Sequence, residues 1–215
     1  MSEVLQIFPT TVHISKYEND ITEELKFVKN IEYKSNGGTG ENARRFESFK
    51  GSNKNYISKN AYILKEKELK NISTFIQKQL DIYTKEIMLS DDRLIPTISW
   101  CNKNPQGSRH HEHRHPNSII SGVFYFAPTK PAPLQLSKSN LPEFEFNVKK
   151  WNPVNSSVFI LNINVGELVL FPSSIKHSVA VNENSEERIS LSFNTFSTSL
   201  GSVEALTYLN SGDLK

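Results

Sequence analysis

Cysteine is nearly absent from the chain, because Cys101 is the single one among 215 residues. One thiol excludes an internal disulfide, and the chain opens with Met1-Ser2-Glu3 rather than with a basic, apolar leader. We therefore expect a reducing, cytoplasmic setting. Long apolar runs are also missing, since no stretch approaches the roughly 20 residues that span a bilayer. No membrane partner is expected.

An excess of charge of one sign is lacking too. The chain carries 25 Lys and Arg residues against 23 Asp and Glu residues, a net charge of +2. Lysines alternate with acidic residues along the sequence, so no polybasic block marks a surface for nucleic acid. We therefore expect no nucleic-acid partner. The sequence does not indicate an oligomeric state.

Helical patterns come first along the chain, and strand patterns follow. Apolar residues recur at spacings of three and four from about Lys65 to Met88, which predicts a helix packed on a sheet, and a shorter helix is expected from about Thr22 to Asn30. The segment from Val4 to Ile14 has the composition of an edge strand. After Leu94, short apolar runs predict strands at Ile95–Asn102, Ile119–Phe126, Phe144–Val148, Val158–Ile163, Glu167–Phe171, Ser178–Val181 and Arg188–Phe196.

This order predicts a mainly β fold with N-terminal α-helices, namely a double-stranded β-helix of the jelly-roll, cupin-like type buttressed by helices. We expect a single domain over residues 1–215. It would consist of a helical and strand support region (1–93), a jelly-roll core (94–200) and a tail (201–215). Loops predicted at Thr129–Asn140 and Asn152–Ser157 would border the pocket of such a core.

Histidines concentrate at two places, because five of the six lie either in the run from His110 to His115 or at His177. Alternate residues of a strand point to one side, so His113 and His115 can bind one metal ion together. His177 is the expected third ligand. It follows a turn, an apolar strand and Pro172, which is the order that a β-barrel metal site requires.

Other interpretations of the histidine run stay open. Glu112 can ligate through a His110-x-Glu112 pair, although on a regular strand these two residues face away from the side of residues 113 and 115. His111 shares that side and can support the site without binding the metal. A solvated loop that binds metal adventitiously is a further alternative. The distant His177 favours a built metal site.

A strictly alternating segment runs from Arg188 to Asn194, and its polar residues share one face of the predicted strand. If that face lines a pocket beside the metal, Arg188 can pair with a carboxylate in fork geometry, and Ser190 can add a hydroxyl donor. The alternative is an ordinary surface strand whose polar side meets solvent. The nearby His177 supports the pocket.

The ordered set of motifs resembles the 2-oxoglutarate and Fe(II)-dependent oxygenases, relatives of the prolyl 4-hydroxylase-like enzymes. The resemblance spans most of the chain and is weaker at Ile7–Thr10 and Ser35–Gly38. Its strongest parts are Trp100-Cys101-Asn102, His113 to Ser118, Ser121 to Tyr125, Gly166 to Pro172, His177-Ser178-Val179 and Glu187 to Asn194.

This resemblance implies a jelly-roll core that holds Fe(II) through His113, His115 and His177. The usual site of the wider superfamily has two histidines and one carboxylate, and His115 stands here in the place of the carboxylate. Three neutral imidazoles leave the 2+ charge of the ion to be balanced by a bound dianion, which can strengthen cosubstrate binding or favour another metal.

The resemblance also implies 2-oxoglutarate as cosubstrate, with its distal carboxylate on Arg188 and with Ser190 assisting. Tyr125 and Asn102 stand where neighbouring strands supply further contacts to the cosubstrate. The implied reaction consumes dioxygen and most often hydroxylates a substrate. The primary substrate, a small molecule or a peptide, is not identified by these motifs.

Cupins share the barrel and provide the second hypothesis, a cupin-type metalloenzyme or metal-binding barrel that does not use 2-oxoglutarate. Their paired signatures match Gly107, His113, His115, Gly122, Gly166, Pro172, His177 and Asn182. The cupin pattern requires a glutamate shortly after the second histidine, where this chain has Asn117, Ser118, Ile119 and Ile120. Cupins also have no need of Arg188, so the oxygenase hypothesis is favoured.

Overall fold

The computed structural model describes residues 3, 5, 7, 9–36, 54–127, 133–138, 147–210 and 212. Its strands are β1 His13–Lys16, β2 Tyr33–Ser35, β3 Tyr56–Ser58, β4 Leu94–Asn104, β5 His110–His113, β6 Ile120–Tyr125, β7 Leu134–Ser137, β8 Val158–Leu161, β9 Glu167–Pro172, β10 Lys176–Val179, β11 Arg188–Ser197, β12 Ser199–Leu200 and β13 Leu209–Asn210. Its α-helices are α1 Thr22–Asn30 and α2 Lys70–Ile82.

Two antiparallel sheets form the double-stranded β-helix. The larger sheet has seven strands in the order β1-β9-β6-β11-β4-β3-β2, and the smaller has four in the order β5-β10-β7-β8. The strands β12 and β13 pair separately. The mainly β fold predicted from the sequence is confirmed. Among the described residues, no helix is both long and apolar enough to cross a membrane.

The apolar side chains form two cores, one on each face of the larger sheet. Ile72, Ile76 and Leu80 of α2 recur every four residues, and they are fully buried together with Ile189 and Leu191 of β11. The other core lies between the two sheets and contains Tyr125, Leu134, Leu136, Leu161, Ile163, Val169, Phe171 and Ile175. The polar face of β11 is therefore left to line the space near the smaller sheet.

The long helix is shorter than the sequence predicts. Its α-helical part is confined to Lys70–Ile82, preceded by 3₁₀ turns at Ile63–Lys65 and Lys67–Leu69 and followed by a π-helical turn at Tyr83–Ile87. Glu66 has an extended backbone that separates the two 3₁₀ turns. At the other end the hydroxyl of Thr84 donates to the carbonyls of Leu80 and Asp81, which disturbs the regular helical ladder.

The predicted loop Thr129–Asn140 contains a strand. Leu134 and Leu136 of β7 are buried while Gln135 and Ser137 are not, so this short segment alternates as a strand does. The strand predicted at Ser178–Val181 begins earlier, at Lys176. The support region contributes three strands, β1, β2 and β3, to the larger sheet in addition to its helices.

Some predictions fall on residues outside the described part of the chain. These are positions 4, 6 and 8 of the predicted N-terminal strand, positions 37 and 38 of the segment Ser35–Gly38, positions 129–132 and 139–140 of the predicted loop, and positions 144–146 of the strand predicted at Phe144–Val148. Asn147 and Val148, which are described, lie in no strand. The division of the chain at residues 93 and 200 stays a prediction.

Candidate metal centre

The structure brings His113, His115 and His177 together, although the last is 62 positions from the second. His113 ends β5, His177 lies on the neighbouring β10, and the register pairs these two residues directly. One ligand nitrogen from each of the three histidines lies within 4.8 Å of the others. The Nε2 atoms of His115 and His177 are 3.3 Å apart. Two nitrogens that each lie about 2.1 Å from one ion have a separation of this size.

A β-bulge changes which side of β5 faces the pocket. His177 pairs with His113 and Val179 pairs with His110, so two steps along β10 match three along β5. The extra residue brings His110 to the side of His113, and their rings stack with centroids 4.5 Å apart. Strict alternation had placed His110 on the opposite side. That prediction is wrong because it assumed a regular strand.

Glu112 points away from the three histidines. Its carboxylate accepts a hydrogen bond from the Ser137 hydroxyl at 2.6 Å, and it lies 3.7 Å from the ammonium of Lys176. These contacts are on the outer side of the smaller sheet, where Glu112 is exposed. Of the two pairs that the sequence left open, only the pair His113 and His115 lies next to His177.

Backbone carbonyls select the tautomers of two of the histidines. Nδ1 of His113 is 2.9 Å from the carbonyl oxygen of His111, and Nδ1 of His177 is 3.1 Å from that of Ile175. A carbonyl can only accept, so each Nδ1 carries the proton and each Nε2 keeps its lone pair. This is the arrangement that histidine ligands of metals usually have, and both residues fit a metal ion.

The third histidine has a different partner. Nδ1 of His115 is 3.3 Å from the side-chain amide nitrogen of Asn194, which can only donate, so this Nδ1 accepts. The amide oxygen of Asn194 accepts in turn from the hydroxyl of Ser121, which also contacts Ser173. A half-turn of the Asn194 amide would present its oxygen to a protonated Nδ1. His115 would then offer its Nε2 to a metal as the other two histidines do.

Burial keeps the imidazoles neutral. It lowers the pKa of His177 to about 3 and that of His115 to about 4, with the neighbouring charge of His113 adding to both shifts. The pKa of His113 is lowered as well, mainly by burial. Neutral imidazole is the form that binds a metal, so the cluster has ligand lone pairs available throughout the neutral pH range.

The three histidines lie in a narrow cavity of about 40 Å³ between the two sheets. The larger sheet provides most of its wall through β4, β6 and β11. The smaller sheet adds His110, His113, His177 and Val179, and His115 follows the end of β5. Among the described residues that line this cavity, none is Asp or Glu. The lining includes Trp100, Asn102, Asn104, His110, Ser121, Tyr125, Arg188, Ser190 and Ser192.

Arg188 places a positive charge in this wall. Its side chain is buried, and the residue is 4 % exposed. Burial lowers the pKa of its guanidinium to about 10, partly offset by Tyr125, so Arg188 stays protonated at neutral pH. Burial likewise raises the pKa of Tyr125 to about 12, which leaves its phenol neutral. The cavity therefore combines neutral ligands and a cation, which suits an anionic guest.

The other residues predicted to bind the cosubstrate also reach the cavity. Ser190 of the central strand β11 is paired with Asn102 of β4 on one side and with Tyr125 of β6 on the other. The three residues therefore lie in one row across the sheet. The amide of Asn102 is already engaged, because its oxygen accepts from Trp100 Nε1 and its nitrogen donates to the Ser192 hydroxyl.

Sequence analysis missed three residues near the site. His110 reaches the cavity because of the bulge, and Asn194 contacts His115. Asn104 lies in the same wall as Arg188 and is its partner on the neighbouring strand. The alternating pattern put Asn194 on the polar face of β11 without indicating what it contacts. Asn104 could have been predicted from its position two residues after Asn102, because alternate residues of a strand lie on the same face.

Comparison with known proteins agrees with this architecture. Residues 98–194 match the profile of the family described as "Putative 2OG-Fe(II) oxygenase". No curated protein matches the chain in sequence. An oxidoreductase of the 2OG-Fe(II) oxygenase family from Burkholderia pseudomallei superposes with a TM-score of 0.54 at 10% identity, covering 81% of this chain and 79% of that one.

Two further solved structures are similar. The non-heme alpha ketoglutarate dependent epimerase SnoN from nogalamycin biosynthesis has a TM-score of 0.58 at 12% identity and covers 88% of this chain and 80% of its own. HygX from Streptomyces hygroscopicus, crystallised with nickel, 2-oxoglutarate and hygromycin B, has a TM-score of 0.57 at 9% identity, covering 86% and 82%. At such identities the likeness establishes a shared fold.

A double-stranded β-helix with converging histidines between its sheets defines the class of non-haem metal enzymes of the jelly-roll type. The profile match covers just under half of the chain and includes the three histidines and Arg188. Over these residues the chain is similar to the 2-oxoglutarate and Fe(II)-dependent oxygenases, and its three histidines could hold a metal ion.

Proposed function

We propose that the protein is a hydroxylase in which His113, His115 and His177 bind Fe(II) and Arg188 anchors 2-oxoglutarate. The observation that carries this proposal is the pairing, in one cavity, of three neutral imidazole nitrogens with a buried guanidinium. When both are bound, Fe(II) and 2-oxoglutarate supply an oxidative decarboxylation, with succinate and carbon dioxide as products, that uses dioxygen to hydroxylate a substrate.

The histidine cluster has two tasks. The Nε2 atoms of His113, His115 and His177 would hold the ion, and three protein ligands would leave it open to the cosubstrate and to dioxygen. The carbonyls of His111 and Ile175 hold the rings of His113 and His177 in the ligating tautomer, so little reorganisation is needed when the ion enters.

Arg188 has the complementary task of binding charge. Its guanidinium can pair with the distal carboxylate of 2-oxoglutarate through two parallel hydrogen bonds, with Ser190 and the neutral phenol of Tyr125 as further donors. Asn102 lines the same wall and holds Trp100 and Ser192 in position through its amide. Orientation of the keto acid by this row is the contribution of the larger sheet to the reaction.

Charge balance supports a dianionic cosubstrate. Three histidines contribute no charge to the metal, and the described cavity lining contains no carboxylate. The ion and Arg188 together would bring three positive charges into a buried space. A dianion that reaches both would neutralise most of this charge, which is costly to bury unpaired. 2-Oxoglutarate has a carboxylate at each end and can make both contacts.

The test is anaerobic titration of the purified protein with Fe(II) and then with 2-oxoglutarate. We expect one equivalent of Fe(II), a metal-to-ligand charge-transfer absorbance on addition of the keto acid, and succinate once oxygen is admitted. His111→Ala is a matched control, since it removes a histidine of the same run while keeping the carbonyl that His113 contacts. It should behave as the wild type.

A stoichiometric metal site without the charge-transfer absorbance, and without succinate, would contradict the proposal. That result would support the cupin-type alternative, in which the same three histidines serve a reaction that needs no keto acid. Substrate screening then starts from small molecules and peptides, with hydroxylated product detected by a mass increase of one oxygen atom.

A further inference from the structure

Asn104 lies in the wall of the cavity with a side chain that the described part of the fold does not satisfy. The residue is 1 % exposed, and neither its amide nitrogen nor its amide oxygen has a hydrogen-bond partner among the described residues. Its backbone is fixed, because the amide of Asn182 donates to its carbonyl oxygen at 2.8 Å. Buried carboxamides are normally hydrogen-bonded, so this one points to a guest in the cavity.

The position of Asn104 indicates which part of a guest it meets. It pairs directly with Arg188 across β4 and β11, and directly opposed residues of an antiparallel pair have their Cβ atoms about 5 Å apart on the same face. Both side chains line the cavity. Asn102, two residues earlier, faces the same way but has both amide groups bound within the protein.

We propose that Asn104 is a cosubstrate-binding residue that donates its amide N–H to the distal carboxylate of 2-oxoglutarate, beside Arg188. This inference rests on the proposed function. A guanidinium offers five donors and a carboxylate uses two, so Arg188 can also donate to the amide oxygen of Asn104. In this arrangement the amide nitrogen of Asn104 donates to the carboxylate and its amide oxygen accepts from Arg188. Both side-chain atoms that lack a partner in the ligand-free protein then have one.

The variant Asn104→Leu separates a binding role from a structural one. It removes two unsatisfied buried polar atoms from the ligand-free protein, so we expect its Tm to rise by about 2–4 °C. The same change removes a hydrogen bond to a charged group in the complex, so the Kd for 2-oxoglutarate should weaken about tenfold or more. Asn104→Asp should weaken binding further, because its carboxylate competes for Arg188.

Asn55 provides a matched control. It is fully buried, its side-chain amide also has no partner among the described residues, and the register of β3 with β4 places it beside Asn104. Asn55 does not line the cavity. Asn55→Leu should therefore raise the Tm in the same way and change the Kd for 2-oxoglutarate by less than about twofold.

The measurement is anaerobic titration of each Fe(II)-loaded protein with 2-oxoglutarate and with 2-oxobutyrate, which lacks the distal carboxylate, next to thermal melts without ligand. The Asn104→Leu effect should appear with 2-oxoglutarate only. Equal Kd values for Asn104→Leu and wild type would overturn the inference, as would an equal loss with 2-oxobutyrate or in Asn55→Leu. A wild type that binds no 2-oxoglutarate would instead refute the proposed function.

Discussion

The two ends of the cavity differ in how far the protein satisfies its own polar groups. At the histidine end, the Nδ1 atoms of His113, His115 and His177 all have partners within the chain. At the arginine end, the amide of Asn104 has none among the described residues. The histidine end thus holds two of its three rings in the ligating tautomer in the absence of a ligand, whereas the arginine end is completed only when an anion binds.

This difference assigns separate consequences to mutations at the two ends. Changes at the histidine end should lower or abolish metal binding. Cosubstrate binding and turnover, which depend on the metal, should then fall as well. Changes at the arginine end should leave the metal and lower the affinity for the keto acid. Each prediction below tests whether this separation holds.

The largest effect is expected from His177→Ala or His113→Ala. Either variant leaves two ligands and should lose stoichiometric Fe(II), measured by metal analysis after anaerobic loading. Glu112→Ala is the matched control, because its carboxylate contacts Ser137 and Lys176 on the outer side of the sheet. Loss of metal in Glu112→Ala, with retention in His113→Ala, would move the site to the other face of β5.

Arg188→Ala should have the second largest effect. A buried, charged pair is worth on the order of 2–5 kcal/mol, so removal of the guanidinium should weaken 2-oxoglutarate binding at least ~30-fold with normal metal content. Arg188→Lys should recover part of this loss, because an ammonium cannot form the planar fork. The readout is the charge-transfer absorbance during titration. Unchanged affinity in Arg188→Ala would mean that the two ends do not share one ligand.

Asn194 tests how much the histidine end depends on its surroundings. Asn194→Leu removes the acceptor that a metal-binding His115 needs at Nδ1, so Fe(II) affinity should fall about tenfold. Asn194→Asp keeps an acceptor there and should bind Fe(II) at least as tightly as the wild type. Competition with a chelator measures both. If Asn194→Leu binds Fe(II) like the wild type, the tautomer of His115 is set by the metal alone.

The smallest effect on metal binding is expected from His115→Asp, which restores the two-histidine, one-carboxylate ligand set. It should retain Fe(II) and part of the 2-oxoglutarate decarboxylation, because a carboxylate is the commoner ligand at this position. Succinate formation without added substrate is the measurement. A variant that binds Fe(II) but makes no succinate, beside an active wild type, would show that the reaction requires three imidazoles.

Local periodicity made part of this architecture predictable. The helix at Thr22–Asn30 has the predicted bounds, and the alternation from Arg188 to Asn194 correctly separated an apolar face packed on the helices from a polar one. These features depend on side chains a few residues apart. Residue type and spacing sufficed to choose the three histidines. The expectation that His113 and His115 share a strand is wrong, because β5 ends at His113 and His115 lies beyond it.

Other features depend on contacts that no local pattern encodes. The bulge in β5 inserts one residue without changing the hydrophobic pattern, so parity assigned His110 to the wrong side. The alternation of Leu134 and Leu136 was present, but four residues are too few to distinguish a strand from a loop. The partners of Asn102 and Asn194, and the lack of partners at Asn104, follow from packing between strands distant in sequence.

The size of the cavity has a kinetic consequence. A volume of about 40 Å³ accommodates roughly three water molecules, whereas 2-oxoglutarate has ten non-hydrogen atoms. The cosubstrate can enter only when part of the wall moves, and the ring of His110, stacked on His113, lies in that wall. The observed rate of keto-acid binding should therefore level off at high concentration, at the frequency with which the wall opens. Stopped-flow absorbance would show this plateau, and a rate that stays linear in 2-oxoglutarate would mean that the site opens faster than ligand arrives.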